Sequence, residues 1–244
     1  MEGPILRTLG VKPGEGIQRY LGLPYFSLRK KRLQFEFLKD RMEKKIQVWN
    51  QREFSAGGKE VLIKSVVQAV PTFAMQCFRI PDSICEDMNR ICAAFWWGEK
   101  EGERRMHWAR LERMCEPKEK GGMGFRNLKI FNKALVAQQA WRMMTKPNLL
   151  VSRVFRAKYF KNGDLMTAVV PSTSSYVWRS IAWGHSLLRE GMVWSVGNGR
   201  NIKAMKDGWV KGAQSEVHGR ADGDSAITVE ELIDEHGGWN LTKN

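Results

Sequence analysis

The residues best suited to hold a phosphate group lie at the start of a predicted helix near position 55. Ser55 can cap this helix, Gly57 and Gly58 sit in its first turn, and Lys59 and Lys64 follow as cations. Free backbone N–H groups, the helix dipole and small residues that permit close approach all favour an anion there. The spacing of a nucleotide-binding P-loop is absent. An ordinary capped helix is the alternative interpretation.

A group of cations just before this helix could follow a nucleic-acid backbone. Its members are Lys30, Lys31, Arg32, Arg41, Lys44, Lys45 and Arg52. Phosphate contacts of this kind give affinity without reading the base sequence, and their strength falls steeply with salt. The alternative is a solvated helix face, partly neutralised by Glu36, Asp40 and Glu43.

The carboxylates are not spaced for polymerase catalysis. Two-metal chemistry needs clustered carboxylates, and no two Asp residues are adjacent anywhere in the chain. Asp222 and Asp224 lie in an acidic C-terminal segment and are poor candidates. The spacings of a hydrolase nucleophile elbow, a zinc protease and a dinucleotide-binding loop are absent. We therefore expect no catalytic residue and no small-molecule substrate.

The four cysteines do not have the spacing of a zinc finger. They contain no Cys-x-x-Cys pair, and no His-x₃₋₅-His pair occurs. We expect no metal site and no cofactor. His185, His218 and His236 have polar neighbours in the sequence, which predicts surface positions for them.

The charge of the chain favours a polyanionic partner. Its 244 residues carry a net charge of +14, and 43% of them are hydrophobic, enough for a core. Residues 215–244 hold seven acidic and two basic residues, a net of −5, so the first 214 residues carry +19. A field of this size attracts nucleic acid. The ten Trp residues could stack on bases, but most lie on apolar faces that predict a core role.

Helical periodicity dominates the chain and predicts a mainly α fold. Residues 28–50 place an apolar stripe on one side of a helix. The stripe consists of Phe35, Leu38, Met42, Ile46 and Trp49. Further helices are predicted from Ser55 to Val70, over 82–97, from Leu128 to Thr145, from Leu149 to about Phe160, and from Tyr176 to Arg189.

The ends and faces of these helices can also be predicted. Ser83 and Glu86 form a possible capping box for the helix over 82–97, and Gly98 is suited to terminate it. The inward face of that helix is predicted to hold Ile84, Met88, Ile91 and Phe95. One side of the helix starting at Leu128 is predicted to hold Phe131, Leu135, Gln138 and Trp141.

Short β-type patterns occur near both ends of the chain. Ile17 to Leu23 reads as a strand closed by Pro24, and a short β-type patch covers 106–108. Residues 192–196 and 200–205 alternate like two strands around Gly197-Asn198-Gly199, which predicts a hairpin. Residues 229–233 form a short acidic amphipathic segment.

The sequence favours an intracellular setting, nuclear or cytoplasmic. No apolar run reaches the roughly 18 residues of a membrane span. The N-terminus contains Glu2 and Pro4 and does not resemble a secretory signal. Few cysteines, most of them within helical patterns, indicate a reducing compartment. We expect neither secretion nor a membrane partner.

Six short motifs occur in a fixed order that resembles plant LINE-type (non-LTR) retrotransposon reverse transcriptases. They are Tyr20–Pro24, Ala56–Lys64, Phe95–Gly98, Gly121–Leu128, Trp194–Gly199 and Leu232–Asp234. The resemblance covers nearly the whole chain and corresponds to the region just downstream of the polymerase palm. Met205 and Gly208 depart from the family, in which an aromatic residue and a Pro are common at these positions.

The resemblance implies a nucleic-acid-binding role without catalysis. It implies a primer grip shaped by Tyr20, Gly22 and Leu23 in residues 1–27, a residual palm edge. Residues 28–160 would be a thumb-like multi-helix body with its linker. Residues 161–244 would be a small α+β appendage leading toward a zinc-binding and RNase H region. The fold would have short β-hairpins at its N-terminal edge and in its C-terminal part.

The sequence leaves two hypotheses open. In the first, the chain binds an RNA or RNA–DNA primer–template as a non-catalytic part of a reverse transcriptase. The predicted phosphate contacts are Arg41, Lys44, Lys45, Arg52, Lys59 and Lys64, with Gly57 and Gly58 at the helix start. In the second, the chain is an RNA- or protein-interaction module, or an expressed transposon relic without a function.

Overall fold

The computed structural model describes residues 19–24, 31–50, 52–98, 105–160, 165, 168, 170–193, 195–200, 202–204, 227–234 and 238–239. Several predictions lie outside these residues, among them those on Lys30, Trp194, Met205, Gly208, His218, Asp222, Asp224 and His236. The chain divides into two compact units, Met1–Gly184 and His185–Asn244. The predicted segments 1–27, 28–160 and 161–244 are a different division, and that division stays a prediction.

The described part of the chain is mainly α-helical, as predicted. A two-residue antiparallel pair, β1 (Arg19–Tyr20) with β2 (Leu23–Pro24), precedes the helices. The helices are α1 (Lys31–Asn50), α2 (Ala56–Leu62), α3 (Thr72–Cys77), α4 (Asp82–Trp97), α5 (Leu111–Cys115), α6 (Leu128–Thr145), α7 (Leu150–Tyr159) and α8 (Tyr176–Gly191). None of the helices in the described part has the length and apolar character that crossing a bilayer requires.

Helix α1 buries the apolar stripe that its sequence predicts. Phe35 and Met42 are fully buried, Leu38 and Ile46 are nearly so, and Trp49 packs against the same cluster. Positions three and four apart lie on one face of a helix, so these residues form a continuous ridge. The ridge packs along α4. The opposite side of α1 is left to charged residues.

The predicted helix from Ser55 to Val70 is not continuous. The α-helical part ends at Leu62 and a π-helical turn, Ile63–Val67, follows, with the Gln68 N–H donating to the Ile63 carbonyl at 2.9 Å. A π-turn takes one residue more than an α-turn. Gln68 is 1% exposed, and its amide exchanges two hydrogen bonds with the Arg126 backbone, at 3.0 and 3.2 Å.

Helix α4 has the predicted bounds but not the predicted cap. It begins after Pro81 with no side-chain cap, so the capping box of Ser83 and Glu86 is wrong. The ring of Pro81 fixes the backbone angle φ of the residue that precedes the helix, so the helix begins here without a capping side chain. The other end is as predicted, because Gly98 is left-handed with a φ of 74°.

Helix α6 has the predicted bounds, and its buried side is centred on other residues than the predicted set. Of the residues predicted to share one side of this helix, Phe131 and Leu135 pack against the core cluster, whereas Gln138 and Trp141 are exposed. The buried residues are Leu128, Asn132, Val136, Ala137, Ala140 and Met143. One of these buried residues, Asn132, is polar and only 1% exposed.

Small residues allow α6 and α8 to approach closely. A Cβ atom added to Gly184 of α8 would lie 2.5 Å from the Ala137 backbone nitrogen of α6. No real side chain tolerates that distance to a backbone atom, so only glycine fits at this crossing.

In the second unit, the predicted hairpin around Gly197-Asn198-Gly199 is wrong. The described residues of 192–200 form no strand. Instead, Ala204 donates to the Ile227 carbonyl and Val229 donates to the Ile202 carbonyl, both at 2.9 Å. Pairing with this distant segment satisfies the backbone groups that a local hairpin would have used. The acidic segment forms a 3₁₀ turn, Val229–Leu232.

Two smaller predictions are also wrong. His185 is 8% exposed rather than on the surface. Residues 106–108 form no strand, and Trp108 is 79% exposed.

The buried amide of Asn132 offers a test of this core. Its Oδ1 accepts from the Ile80 N–H at 2.8 Å, and its Nδ2 donates to the carbonyls of Met75 and Phe78 at 2.9 and 2.8 Å. Asn132→Ala leaves these buried groups unpaired and should cost about 2–4 kcal/mol. Urea unfolding measures the loss. Gln138→Ala, at an exposed site on the same helix, is the control. Equal stability of both variants would contradict this role.

Candidate nucleic-acid interface

The strand pair β1–β2 lies beside a cation of α1. Gly22 forms its turn, and a Cβ atom added there would lie 3.7 Å from the Arg41 Nη2 atom. Leu23 packs against the core cluster, which fixes the hairpin to the body. Tyr20 belongs to β1, but its side chain is outside the described part. The predicted grip residue Gly22 and the predicted phosphate contact Arg41 are therefore neighbours.

The exposed side of α1 carries the cations of the candidate interface. Lys44, Lys45 and Arg52 are exposed and have no carboxylate partner within the described part of the chain. Arg41 is exposed with its guanidinium 5.0 Å from the centre of the Phe37 ring. We call the α1 residues Arg41, Lys44 and Lys45, together with Arg52 two positions beyond the end of α1, the α1 basic face. Its charges are exposed to solvent, and the Arg41 guanidinium also contacts the Phe37 ring.

Two other cations of the predicted group have partners within the protein. The Lys31 ammonium lies 5.1 Å from the centre of the Tyr176 ring. Arg32 donates to the Asp87 carboxylate at 3.2 Å, and the same carboxylate also pairs with Lys39 and Arg90, at 3.5 and 2.7 Å. Asp87 is 8% exposed, so these cations neutralise a buried charge and join α1 to α4.

The predicted phosphate site at the start of α2 has the geometry of a capped helix. The Ser55 Oγ accepts from the Gly58 N–H at 3.2 Å, which occupies one of the donors that an anion would use. Gly57 is exposed, and space remains around its Cα atom. Helix α2 has only seven residues, so few peptide dipoles add up to attract an anion at its N-terminus. An anion contact by Gly57 and Gly58 stays a prediction.

Lys59 points toward the end of α4 rather than toward solvent. Its ammonium donates to the Trp96 carbonyl at 3.3 Å and lies 5.9 Å from the centre of the Phe95 ring. Partial burial, followed by the nearby Arg105 charge, lowers the pKa of Lys59. The internal hydrogen bond makes Lys59 a poorer phosphate ligand than the α1 basic face.

Lys64 is held by a carboxylate on its own helical segment. Its ammonium pairs with the Glu60 Oε1 atom at 2.8 Å, and Lys118 pairs with the same oxygen at 2.7 Å. Hydrogen bonds from Lys118 and Lys64 lower the pKa of Glu60. Of the six predicted cationic contacts, the structure therefore leaves the four of the α1 basic face open and gives Lys59 and Lys64 internal partners.

A second basic region lies outside the residues predicted for the interface. Residues 120–163 contain ten Lys or Arg residues and no Asp or Glu. Residues 30–64, which hold the predicted contacts, also contain ten basic residues but five acidic ones. We call residues 120–163 the acid-free segment. Counting acidic residues alongside basic ones would have found it.

The His, Cys, Asp and Glu side chains of the described part are the groups that could supply metal ligands or reactive thiols. It contains no group of three or more His, Cys, Asp or Glu side chains able to hold a metal ion. All four cysteines are free, and burial raises the pKa of Cys85 and Cys92 to about 12. Thiols with such pKa values are poor nucleophiles at neutral pH. Cys85 and Cys92 are therefore core residues.

A shallow cavity of about 230 Å³ lies beside α4. It is lined by Asn89, Arg90, Ala93, His107, Ala109, Arg110 and Leu111. Arg90 is paired with Asp87 at 2.7 Å, so one of the two cations of this cavity is already neutralised.

Two curated proteins of Arabidopsis thaliana are similar to this chain. An uncharacterized mitochondrial protein is 38% identical over 143 residues, which cover 58% of this chain and 93% of that protein. A protein named "Putative ribonuclease H protein" is 29% identical over 194 residues, or 78% of this chain. The chain spans only 31% of that second protein. No family model matches the chain, and no solved structure matches it.

The Glu60 pairings predict a pH-dependent contribution to stability. The folded-state pKa of Glu60 lies below its ordinary value of 4.5, so its stabilisation is complete above pH 4.5 and is lost as the pH falls through the folded-state pKa. Glu60→Gln should be less stable than the wild type at pH 7, and this difference should shrink at pH values below 4.5. Unfolding free energies at neutral and acidic pH measure it. Glu53→Gln, at an exposed site, is the control, and a gap that stays constant with pH would contradict the prediction.

Proposed function

This chain belongs to the same family as the uncharacterized mitochondrial protein of Arabidopsis thaliana, and we propose that it is a nucleic-acid-binding segment of retrotransposon origin. The ordered motifs from Tyr20 to Asp234 support a reverse transcriptase as the source. The relative named as a ribonuclease H adds support, since its name denotes an enzyme that acts on RNA. The proposed segment corresponds to the primer grip, thumb and linker, downstream of the palm.

The observation that carries this proposal is the position of the β1–β2 turn beside the α1 basic face. Gly22 lies next to Arg41, and Lys44 and Lys45 continue along the same helix. The apolar stripe of α1 is buried in the core, so the helix holds its cations on a rigid support. A duplex end at the turn would place its backbone phosphates along the exposed side of α1.

This geometry favours binding by charge rather than by base sequence. Lysines are point charges suited to phosphate oxygens, and the α1 basic face has no carboxylate partner among the described residues. Each phosphate contact releases a counterion, so affinity should fall steeply as salt rises. The proposed partner is an RNA–DNA or RNA primer–template duplex.

A charge-reversal variant tests the α1 basic face. Lys44→Glu with Lys45→Glu should weaken binding of a labelled RNA–DNA primer–template by about tenfold or more at low salt. It should also lower the slope of log affinity against log salt by about 1.5–2, the loss expected for two phosphate contacts. Fluorescence anisotropy across a salt titration measures both quantities.

The matched control keeps both charges. Lys44→Arg with Lys45→Arg should bind within about twofold of the wild type, because phosphate contacts of this kind depend on charge more than on side-chain shape. Circular dichroism establishes that all variants are folded. A folded wild-type protein that does not bind the primer–template at low salt would remove the proposed function.

A second expectation concerns catalysis. Because no two Asp residues are adjacent in the chain, we expect no nucleotide incorporation when it is incubated with primer–template, divalent metal and deoxynucleotides. A primer-extension assay on a gel measures this, with an active reverse transcriptase on the same substrate as the control. Extension of the primer by the purified chain would overturn the non-catalytic assignment.

A further inference from the structure

We propose that the exposed surface formed by the end of α6 and by α7 binds single-stranded nucleic acid, by stacking a base on Trp141 and holding phosphates with Arg153 and Arg156. We call this surface the α6–α7 platform. The proposal deepens the proposed function, on which it rests, by adding a second contact of different specificity.

The charge of this region favours a polyanionic ligand. The α6–α7 platform lies within the acid-free segment, which contains ten basic and no acidic residues. Arg142, Lys146, Arg153 and Arg156 are exposed, and none has a carboxylate partner in the described part of the chain. Exposed cations without carboxylate partners, concentrated in one stretch of the chain, favour a polyanion. The complementary partner is a phosphate backbone.

The exposed apolar residues select a single strand over a duplex. Trp141 is 46% exposed, Leu150 is 75% exposed and Val154 is 53% exposed. A duplex hides the faces of its bases and presents phosphates to such a surface. A single strand offers base faces that stack on aromatic rings while its backbone meets cations. A surface that mixes an open indole, aliphatic side chains and arginines fits the single strand.

Hydrogen bonds bring the two helices together at this point. The Ser152 Oγ donates to the Lys146 carbonyl at 2.9 Å, and the Lys146 N–H donates to the Arg142 carbonyl at 3.0 Å. The last turn of α6, which carries Trp141, therefore adjoins the first turn of α7. Arg153 and Arg156 are three positions apart and share one side of α7.

The inner side of α7 makes this surface rigid. Phe155 and Tyr159 stack on the buried Trp178, with ring centres 5.5 and 4.7 Å apart and planes at 21° and 5°. Phe160 also stacks on Trp178, at 5.7 Å and 16°. Such aromatic pairs add to the stability gained by burial. The outer cations of α7 therefore lie on a fixed support.

Short labelled oligonucleotides of about eight nucleotides, one RNA and one DNA, test the proposal, since sites of this kind hold roughly 4–16 nucleotides. Trp141→Leu keeps an apolar side chain but removes the ring, and it should weaken oligonucleotide binding by about tenfold. Trp141→Phe should restore much of the lost affinity. Arg153→Glu with Arg156→Glu should lower the salt slope by about 1.4, as two single-strand phosphate contacts predict.

The two proposed surfaces can be separated by their probes. The Trp141 and Arg153/Arg156 variants should bind the short single strands weakly but keep most of their affinity for an RNA–DNA duplex without overhangs. The Lys44/Lys45 variant should show the reverse. A folded wild-type protein that binds the short single strands but not the duplex would remove the proposed function and leave the platform standing. The affinities of the RNA and DNA oligonucleotides, compared with each other, give the preference of the platform for RNA or for DNA.

Three results would overturn the proposal. The first is a folded wild-type protein that binds neither oligonucleotide at low salt. The second is a Trp141→Leu variant that binds both as tightly as the wild type. The third is binding of anionic phospholipid vesicles, lost on Arg153→Glu with Arg156→Glu, without any oligonucleotide binding. Circular dichroism and an unchanged unfolding midpoint serve as the folding controls for every variant.

Discussion

Three buried carboxamides hold the helices of the first unit in place. Gln68 exchanges two hydrogen bonds with the Arg126 backbone, Asn89 accepts from the Leu128 N–H at 3.3 Å, and Asn132 binds three backbone groups around α3. A buried backbone group left unpaired costs free energy comparable to a lost hydrogen bond. Because these amides satisfy such groups, the chain between α5 and α6 can enter the core, and the position of α6 depends on them.

The apolar pattern predicted the helices well where apolar residues alone decide the packing. The stripe of α1 and the bounds of α4 and α6 follow from residues spaced three and four apart. The pattern could not locate inward polar residues such as Asn132 and Gln68, because their partners are backbone groups more than 50 residues away. The pairing of Ile202 with Val229 was unpredictable for the same reason.

The candidate interface shows what charge patterns can and cannot predict. Exposed cations on α1 were predicted correctly, since the opposite face is apolar and must be buried. The internal partners of Lys59 and Lys64 could not be predicted, because they depend on where the end of α4 and Lys118 lie in space. The fixed charges of the first unit therefore divide into those that stabilise the fold and those that remain available to a partner.

The contact between Gly184 and α6 also bears on the history of the gene. The crossing leaves no room for a Cβ atom, since the Ala137 nitrogen would be 2.5 Å away. Any single-nucleotide change that replaces this glycine therefore disturbs the helical body, whatever the new side chain is. In a lineage where the body must still fold, selection keeps glycine at position 184. In a lineage where the sequence has become neutral, the codon changes at the background rate, so this position distinguishes a maintained gene from a decaying copy.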